Sequence, residues 1–151
     1  MKKHLYILLL LTFSSFSYSQ YPKGYISKQI KIDAGLIGAV VFDAWGDAEN
    51  DNGNKALAHA LNAASVACLL VTPFLADIEQ DQWAKYIIKY GFIRFVAFDY
   101  TYNYQRNLPF NYLGNTSNYD KNLKKFDPGL IAFTKSVTLI VGFTIPINTK
   151  L

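Results

Sequence analysis

The sequence predicts an all-α fold: a small membrane protein of about three or four apolar helices that follows an N-terminal signal peptide. Composition is the first reason, because 51% of the 151 residues are hydrophobic and only 17% are charged, which leaves little charge to cover a water-soluble globule. The first twenty residues, which resemble an export signal, are the second. The third is the stretch Ala56–Ala76, which contains no Lys, Arg, Asp or Glu and has the roughly 20-residue length of one membrane span.

The N-terminus has the three parts of a secretory signal peptide. Two lysines follow the initial Met, the apolar stretch Leu5–Phe13 comes next, and a small-x-small site ends at Ser19. Because the apolar stretch is too short to cross a bilayer core of ~30 Å, we expect cleavage after Ser19. Residues 1–19 are then a signal peptide and residues 20–151 a single helical membrane-associated domain. An uncleaved N-terminal anchor is the alternative.

The mature chain contains four apolar segments. The first is interrupted by two aspartates, the second is rich in small residues, the third has apolar residues at helical spacing, and the fourth carries one lysine. A strong turn signal, Asn52-Gly53, separates the first two. We expect Ala60, Ala63, Ala64 and Ala67 to allow close helix contact. The four segments are Ile32–Gly46, Ala56–Ala76, Trp83–Tyr100 and Leu130–Ile147.

Two other architectures remain open. Three tyrosines alternate with polar residues over Tyr100–Tyr104, and Val137–Ile147 is rich in β-branched residues, as in the strands of a β-rich envelope protein. The continuous, Ala-rich stretch Ala56–Ala76 does not fit that pattern. The second alternative is a soluble periplasmic helical domain.

Five charged or titratable residues are candidates for chemistry: Asp43, Asp47, His59, Arg94 and Asp99. Asp43 and Asp47 are four residues apart and share a face on a continuous helix. If the set converged, it could serve a membrane-embedded hydrolase or transferase. The competing interpretation is structural. Asp43 and Asp47 then cap or flank a helix end, and His59 lies at the membrane interface. Arg94 and Asp99 form ion pairs between helices. The residues have no known ligand spacing, so the sequence predicts neither a metal nor a cofactor.

The segment Asn103–Asp127 is predicted to be a polar, aromatic loop that carries the interaction role. Its residues form defined turns and present many hydrogen-bonding groups, as functional loops do. A surface loop shaped by turn chemistry alone is the alternative. The candidate binding residues are Arg106, Asn111, Tyr112, Gly114, Thr116, Ser117 and Asp120.

The same region resembles uncharacterised small helical membrane proteins of bacteria and their phages. The resemblance rests on Phe-Asp-Tyr-Thr-Tyr-Asn at Phe98–Asn103 and on the stretch Leu108–Lys121, which reads LPFNYLGNTSNYDK. In those proteins an Arg-x-x-x-Phe-Asp element ends one helix and a Gly-x-Thr-Ser loop follows. The resemblance implies helical membrane character and no particular activity.

The sequence favours a non-enzymatic role in the cell envelope, because it contains no Gly-x-Ser-x-Gly, phosphate-binding Gly-rich loop or His-Glu-x-x-His motif. The net charge is +4, but the lysines are scattered and no basic stripe with stacking aromatics occurs, so nucleic-acid binding is not predicted. We expect an exported protein in an envelope membrane, with the inner membrane favoured and the periplasm as the alternative. The expected partners are the lipid bilayer and an envelope protein that meets the loop. A membrane hydrolase or transferase and a soluble periplasmic ligand-binding domain remain alternative functions.

Overall fold

The computed structural model describes residues 23–114 and 118–149 of the chain. Within these ranges the regular elements are helices and no strand forms beyond one isolated bridge, so the all-α prediction is confirmed. Of the segments with β-like patterns, Tyr100–Tyr104 lies in a helix, and Val137–Ile147 is helical as far as Thr144. The predicted signal peptide lies outside the described residues. The helices are α1 (Lys23–Asp51), α2 (Lys55–Leu75), a short 3₁₀ turn (Gln80–Gln82), α3 (Trp83–Gln105), α4 (Asn118–Leu123) and α5 (Pro128–Thr144).

Helix α1 is the central element and is longer than the apolar segment Ile32–Gly46 predicted from the sequence. It starts within the basic, aromatic stretch before that segment and runs unbroken to Asp51. The reason is a buried face at helical spacing that extends beyond the apolar segment at both ends. The buried residues of this face are Gln29, Ile32, Asp33, Leu36, Ala39, Val40, Ala44 and Ala48.

A tight turn reverses the chain between α1 and α2, as the Asn52-Gly53 pair predicted. Gly53 has φ of 85°, a left-handed conformation that glycine adopts without strain. Helix α2 then runs antiparallel along α1. It covers the predicted apolar segment almost residue for residue, from Lys55 to Leu75.

Glycines of α1, and not alanines of α2, allow these two helices to approach closely. A Cβ atom at Gly35 would lie 1.9 Å from Thr72 Oγ1, and one at Gly46 would lie 2.0 Å from Asn62 Oδ1. The Ser65 hydroxyl donates to the Ala39 carbonyl oxygen at 2.7 Å across the same contact. Of the four alanines expected to allow close helix contact, Ala64 is half-buried, and the expectation is wrong for Ala60, Ala63 and Ala67, which are exposed.

Helix α3 lies parallel to α1, since the chain has reversed twice, and α5 returns antiparallel to α3. The buried core forms where these helices meet the connection between α2 and α3. It comprises Ile32, Leu36, Val40, Ala76, Ile78, Tyr86, Ile93, Phe143 and Ile147.

The C-terminal segment, residues 145–149, leaves α5 and crosses one end of the bundle. Ile147 is fully buried there. Glu79 N donates to the Asn148 carbonyl oxygen at 3.4 Å, and Ile78 pairs with Thr149 in an antiparallel bridge. The segment therefore closes the end of the bundle at which the α2–α3 connection lies.

Candidate functional site: ion pairs inside the bundle

The most deeply buried charged group is Lys89 on α3, which has no exposed surface. Its Nζ atom lies 2.8 Å from Asp33 Oδ1 on α1, and the Asp33 side chain is 7% exposed. Nζ also lies 3.4 Å from the Phe143 carbonyl oxygen and 3.1 Å from that of Ile145. The lysine thus neutralises an aspartate and binds carbonyl groups that the end of α5 leaves without helical donors.

A buried glutamine completes this cluster. Gln29 is fully buried one turn before Asp33. Its side-chain amide donates through Nε2 to the Ile147 carbonyl oxygen, and its Oε1 accepts from Ile147 N at 3.3 Å. The backbone of the C-terminal segment is therefore held by Gln29 and Lys89, which belong to different helices.

Sequence reasoning missed this cluster, although a signal was present. Lys89 is in phase with Tyr86, Ile93 and Val96, which form the buried face of α3. Its spacing from Lys85 and Arg94, which are exposed, also fits a solvated face of an amphipathic helix, but Lys89 is fully buried. A cation at a core position of the helical repeat needs a buried partner, and that requirement points to an aspartate such as Asp33.

The second ion pair joins Arg94 of α3 to Asp43 of α1. Arg94 Nη2 lies 2.8 Å from Asp43 Oδ2 and Nε lies 3.0 Å from the same oxygen. The guanidinium also sits over the Phe98 ring, 4.5 Å from its centre. Both side chains of the pair are partly exposed, so this contact lies nearer the outside of the bundle than the Lys89–Asp33 pair.

The third ion pair joins Asp99 of α3 to Lys135 of α5. Lys135 Nζ contacts Asp99 Oδ2, and the lysine side chain is only 6% exposed. Nζ lies 5.4 Å from the centre of the Tyr100 ring. The expectation that Arg94 and Asp99 each have a partner on another helix is confirmed by this pair and by the Arg94–Asp43 pair.

A fourth group of contacts lies at the end of the bundle that carries the α1–α2 turn. The Tyr102 hydroxyl donates to Asp51 Oδ2, and Arg106 Nη1 lies 3.9 Å from the same carboxylate oxygen. Arg106 also donates to Asn52 Oδ1 at 3.2 Å. The Tyr102 hydroxyl and the Arg106 guanidinium therefore share one carboxylate at this end of the bundle.

Of the five proposed catalytic residues, the structure brings Asp43 and Arg94 into contact, with Asp47 near both, and gives Asp99 a different partner. Asp43 is bound to Arg94, Asp99 is bound to Lys135, and Asp47 is exposed one turn after Asp43. His59 is exposed on α2. Within residues 23–114 and 118–149, no group of three His, Cys, Asp or Glu residues could hold a metal ion.

The predicted loop Asn103–Asp127 is shorter and more structured than expected. Asn103 belongs to α3 and is 2% exposed. Its side-chain amide donates to the Tyr112 carbonyl oxygen at 2.9 Å and to that of Phe110 at 3.3 Å. The Phe110 ring stacks on Tyr100 with centres 4.1 Å apart. The chain after α3 is therefore folded back on the end of that helix.

The remaining candidates for a binding loop are spread over this region. Asn111 and Tyr112 are exposed. A Cβ atom at Gly114 would lie 2.5 Å from Asp120 Oδ2, so glycine permits the close approach of Asp120. Thr116 and Ser117 lie outside the described residues.

The outer surface of the bundle carries many large apolar side chains. They lie on α2, on the first half of α3 and on α5. Only α2, among the described helices, is long and apolar enough to cross a membrane by length and composition; α5 is apolar but shorter. The most exposed members are Phe74 at 70%, Phe133 at 67%, Leu75 at 64% and Leu70 at 61%.

No family model, curated protein or solved structure matches this chain. By its fold and contacts, the protein is an all-α helical bundle with ion pairs between its helices and apolar residues on its outside. The resemblance of Phe98–Asn103 and Leu108–Lys121 to small helical membrane proteins stays a prediction.

Proposed function

We propose that the mature chain is an exported, membrane-embedded helical bundle of the cell envelope with a non-enzymatic, structural or interaction role. The signal at residues 1–19 directs export, with the inner membrane as the favoured destination. Helices α1, α2, α3 and α5 cross the bilayer as a unit. The region between α3 and α5 meets the membrane surface or an envelope protein.

One observation carries the proposal: two lysines are buried inside the bundle, while large apolar side chains are exposed on its outside. Lys89 has no exposed surface and Lys135 is 5% exposed, whereas Leu70 is 61% exposed and Phe133 is 67% exposed. In water, lysines are almost never fully buried and large apolar patches are rarely left open. In a bilayer, polar groups face the bundle interior and apolar groups face lipid.

The ion pairs explain how helices with charged residues could enter lipid. Helix α3 alone would bring Lys89, Arg94 and Asp99 into the hydrocarbon, at a cost of about 3 kcal/mol for each charge at mid-depth. Each of these charges has a partner of opposite sign on α1 or α5. Helix α3 therefore fits a membrane only when it is packed in the assembled bundle. Helix α2 has no such charges and fits a membrane as a single helix.

The dimensions and the aromatic residues at the two ends agree with this placement. The 21 residues of α2 rise about 31 Å as a helix, close to the ~30 Å hydrocarbon thickness. Trp83 is partly exposed near one end of the bundle, and Tyr104 and Tyr112 are exposed near the other. Trp and Tyr are enriched at both membrane–water interfaces.

Fractionation of the tagged full-length protein tests the proposal. We expect the protein in the membrane fraction after a carbonate wash, with an intact mass that corresponds to a mature chain starting at Gln20. Release by osmotic shock would instead support the soluble periplasmic alternative and overturn the proposal.

A matched pair of substitutions tests which surface faces lipid. Leu70→Lys puts a charge on the outward face of α2, and Gln80→Lys puts the same charge on the exposed α2–α3 connection. In lipid, we expect Leu70→Lys to reduce the carbonate-resistant fraction strongly and Gln80→Lys to leave it unchanged. If both variants behave like the wild type, the outward face of α2 does not contact hydrocarbon.

A further inference from the structure

The region between α3 and α5 carries a basic surface beside exposed aromatic residues. Lys121, Lys124 and Lys125 are all exposed. The second and third lie three and four residues after the first, which puts them on one side of α4 and the turn after it. Phe126 follows directly and is 56% exposed.

Three acidic residues of this end of the bundle have other contacts. Glu49 accepts from Trp45 Nε1 at 3.1 Å, and Asp51 is bound to Tyr102 and Arg106. Asp127 caps α5 by accepting from Gly129 N at 2.8 Å and Leu130 N at 3.1 Å. Lys125 Nζ donates to Asn122 Oδ1 at 2.9 Å within the segment. Residues 121–126 thus carry three exposed lysines, with one carboxylate on either side at Asp120 and Asp127.

The basic surface continues directly into the outward apolar face of α5. Leu130 is 53% exposed and Phe133 is 67% exposed, and both follow Phe126 within two helical turns. Lysines that border lipid-facing apolar residues lie at the depth of the headgroups, where anionic lipids attract them.

From this juxtaposition we propose that Lys121, Lys124 and Lys125 form a site for the headgroups of anionic phospholipids, with Phe126 at the boundary with the acyl chains. The inference rests on the proposed membrane function and names its lipid partner. In this site the ammonium groups of the region between α3 and α5 bind the phosphodiester of a lipid.

The test uses the full-length protein reconstituted in vesicles that contain phosphatidylcholine and a small fraction of spin-labelled lipid. The spin label is carried either by phosphatidylglycerol or by phosphatidylcholine, and the motionally restricted fraction is measured for each. We expect the restricted fraction to favour phosphatidylglycerol, because one lysine near an anionic surface contributes about a factor of five in binding. The preference should fall as salt rises.

Two variants with the same change of charge locate the site. In K121Q/K125Q the preference for phosphatidylglycerol should fall severalfold towards one. In K31Q/K85Q, which removes two exposed lysines at the opposite end, it should be retained.

Three outcomes would contradict the inference in different ways. Equal restriction of the two lipids by the wild type would remove the anionic site and leave the membrane placement intact. An equal loss of preference in both variants would mean that net charge, and not this surface, attracts the lipid. No restricted lipid of either kind would mean that the protein is not embedded, and the proposed function would fail.

Discussion

The contact between Lys89 and Asp33 shows how much depends on single side chains in this bundle. Both groups lie in the interior, and each compensates the charge of the other. Replacing one partner of a buried ion pair leaves the other partner as an uncompensated buried charge. Replacing both partners leaves no buried charge behind. The same lysine also satisfies two carbonyl groups near the end of α5, which an apolar replacement cannot do.

We predict that Lys89→Met destabilises the bundle by about 3–5 kcal/mol, because Asp33 is left buried without its cation. The double variant Asp33→Asn/Lys89→Met should recover a substantial part of that loss. Unfolding of the detergent-solubilised protein by increasing SDS, followed by circular dichroism, measures both values. A double variant that is less stable than Lys89→Met would show that the pair does not compensate charge as described.

At the residue scale the sequence predicts the need for ion pairs but not all of the partners. Arg94 and Asp99 stand out as charges that require partners on other helices. Their partners, Asp43 and Lys135, are 51 and 36 residues away. Such pairings depend on how the helices are arranged. The residue pattern of one helix does not say which other helices pack against it. Lys89 was missed because its spacing fits an amphipathic helix as well as a buried one.

Among the helices, the contact of α1 with α2 depends on residues without side chains. Gly35 lies against Thr72, whose hydroxyl donates to the Cys68 carbonyl oxygen at 2.6 Å. Because threonine is β-branched and stiff, it cannot move away from a new methyl group without losing this geometry. A glycine at this place lets two helices lie closer than larger residues would allow.

We predict that Gly35→Ala destabilises the bundle by roughly 1–3 kcal/mol through overpacking. Gly91→Ala is the matched control, since a Cβ atom at Gly91 meets nothing within 4 Å. This control should be neutral or stabilising by about 0.5–1 kcal/mol, because alanine is the better helix former. The same SDS titration compares them, and equal effects at the two glycines would contradict the close contact.

Helices were easier to predict than their ends or their contacts. The helix over Ala56–Ala76 is evident from the sequence because a charge-free stretch of that length is typical of a helix that crosses or lies within an apolar environment. The apolar pattern predicts a start at Ile32, whereas α1 starts at Lys23. The first turns of α1 carry lysines and Gln29, so they resemble a polar segment before a helix. The end of α3 was also missed, because tyrosines that alternate with polar residues imitate a strand. In both places long-range contacts decide the structure.

The arrangement of the whole molecule fixes which connections share an end of the bundle. The α1–α2 turn and the region between α3 and α5 lie at one end, and the α2–α3 connection and the C-terminal segment lie at the other. If the bundle spans the membrane with residues 106–127 in the cytoplasm, the two groups are separated by the bilayer. That orientation puts Lys121, Lys124 and Lys125 on the side that basic residues favour.

We predict that single cysteines at the two ends differ in their reactivity. In a Cys68→Ser background, Glu79→Cys should react with a membrane-impermeant maleimide added to spheroplasts. Asn54→Cys and Asn122→Cys should react only after the cells are lysed. Labelling of all three in intact spheroplasts would contradict a membrane-spanning arrangement, and the reverse pattern would show the opposite orientation.

The placement of the C-terminal segment has a consequence for synthesis. Lys89 and Gln29 have backbone partners at Phe143, Ile145 and Ile147, which follow them in the chain by 54 residues or more. During synthesis the earlier helices therefore have those polar groups unsatisfied until Ile147 has been made. A nascent chain halted before Phe143 should consequently be a better substrate for quality-control proteases than the released protein.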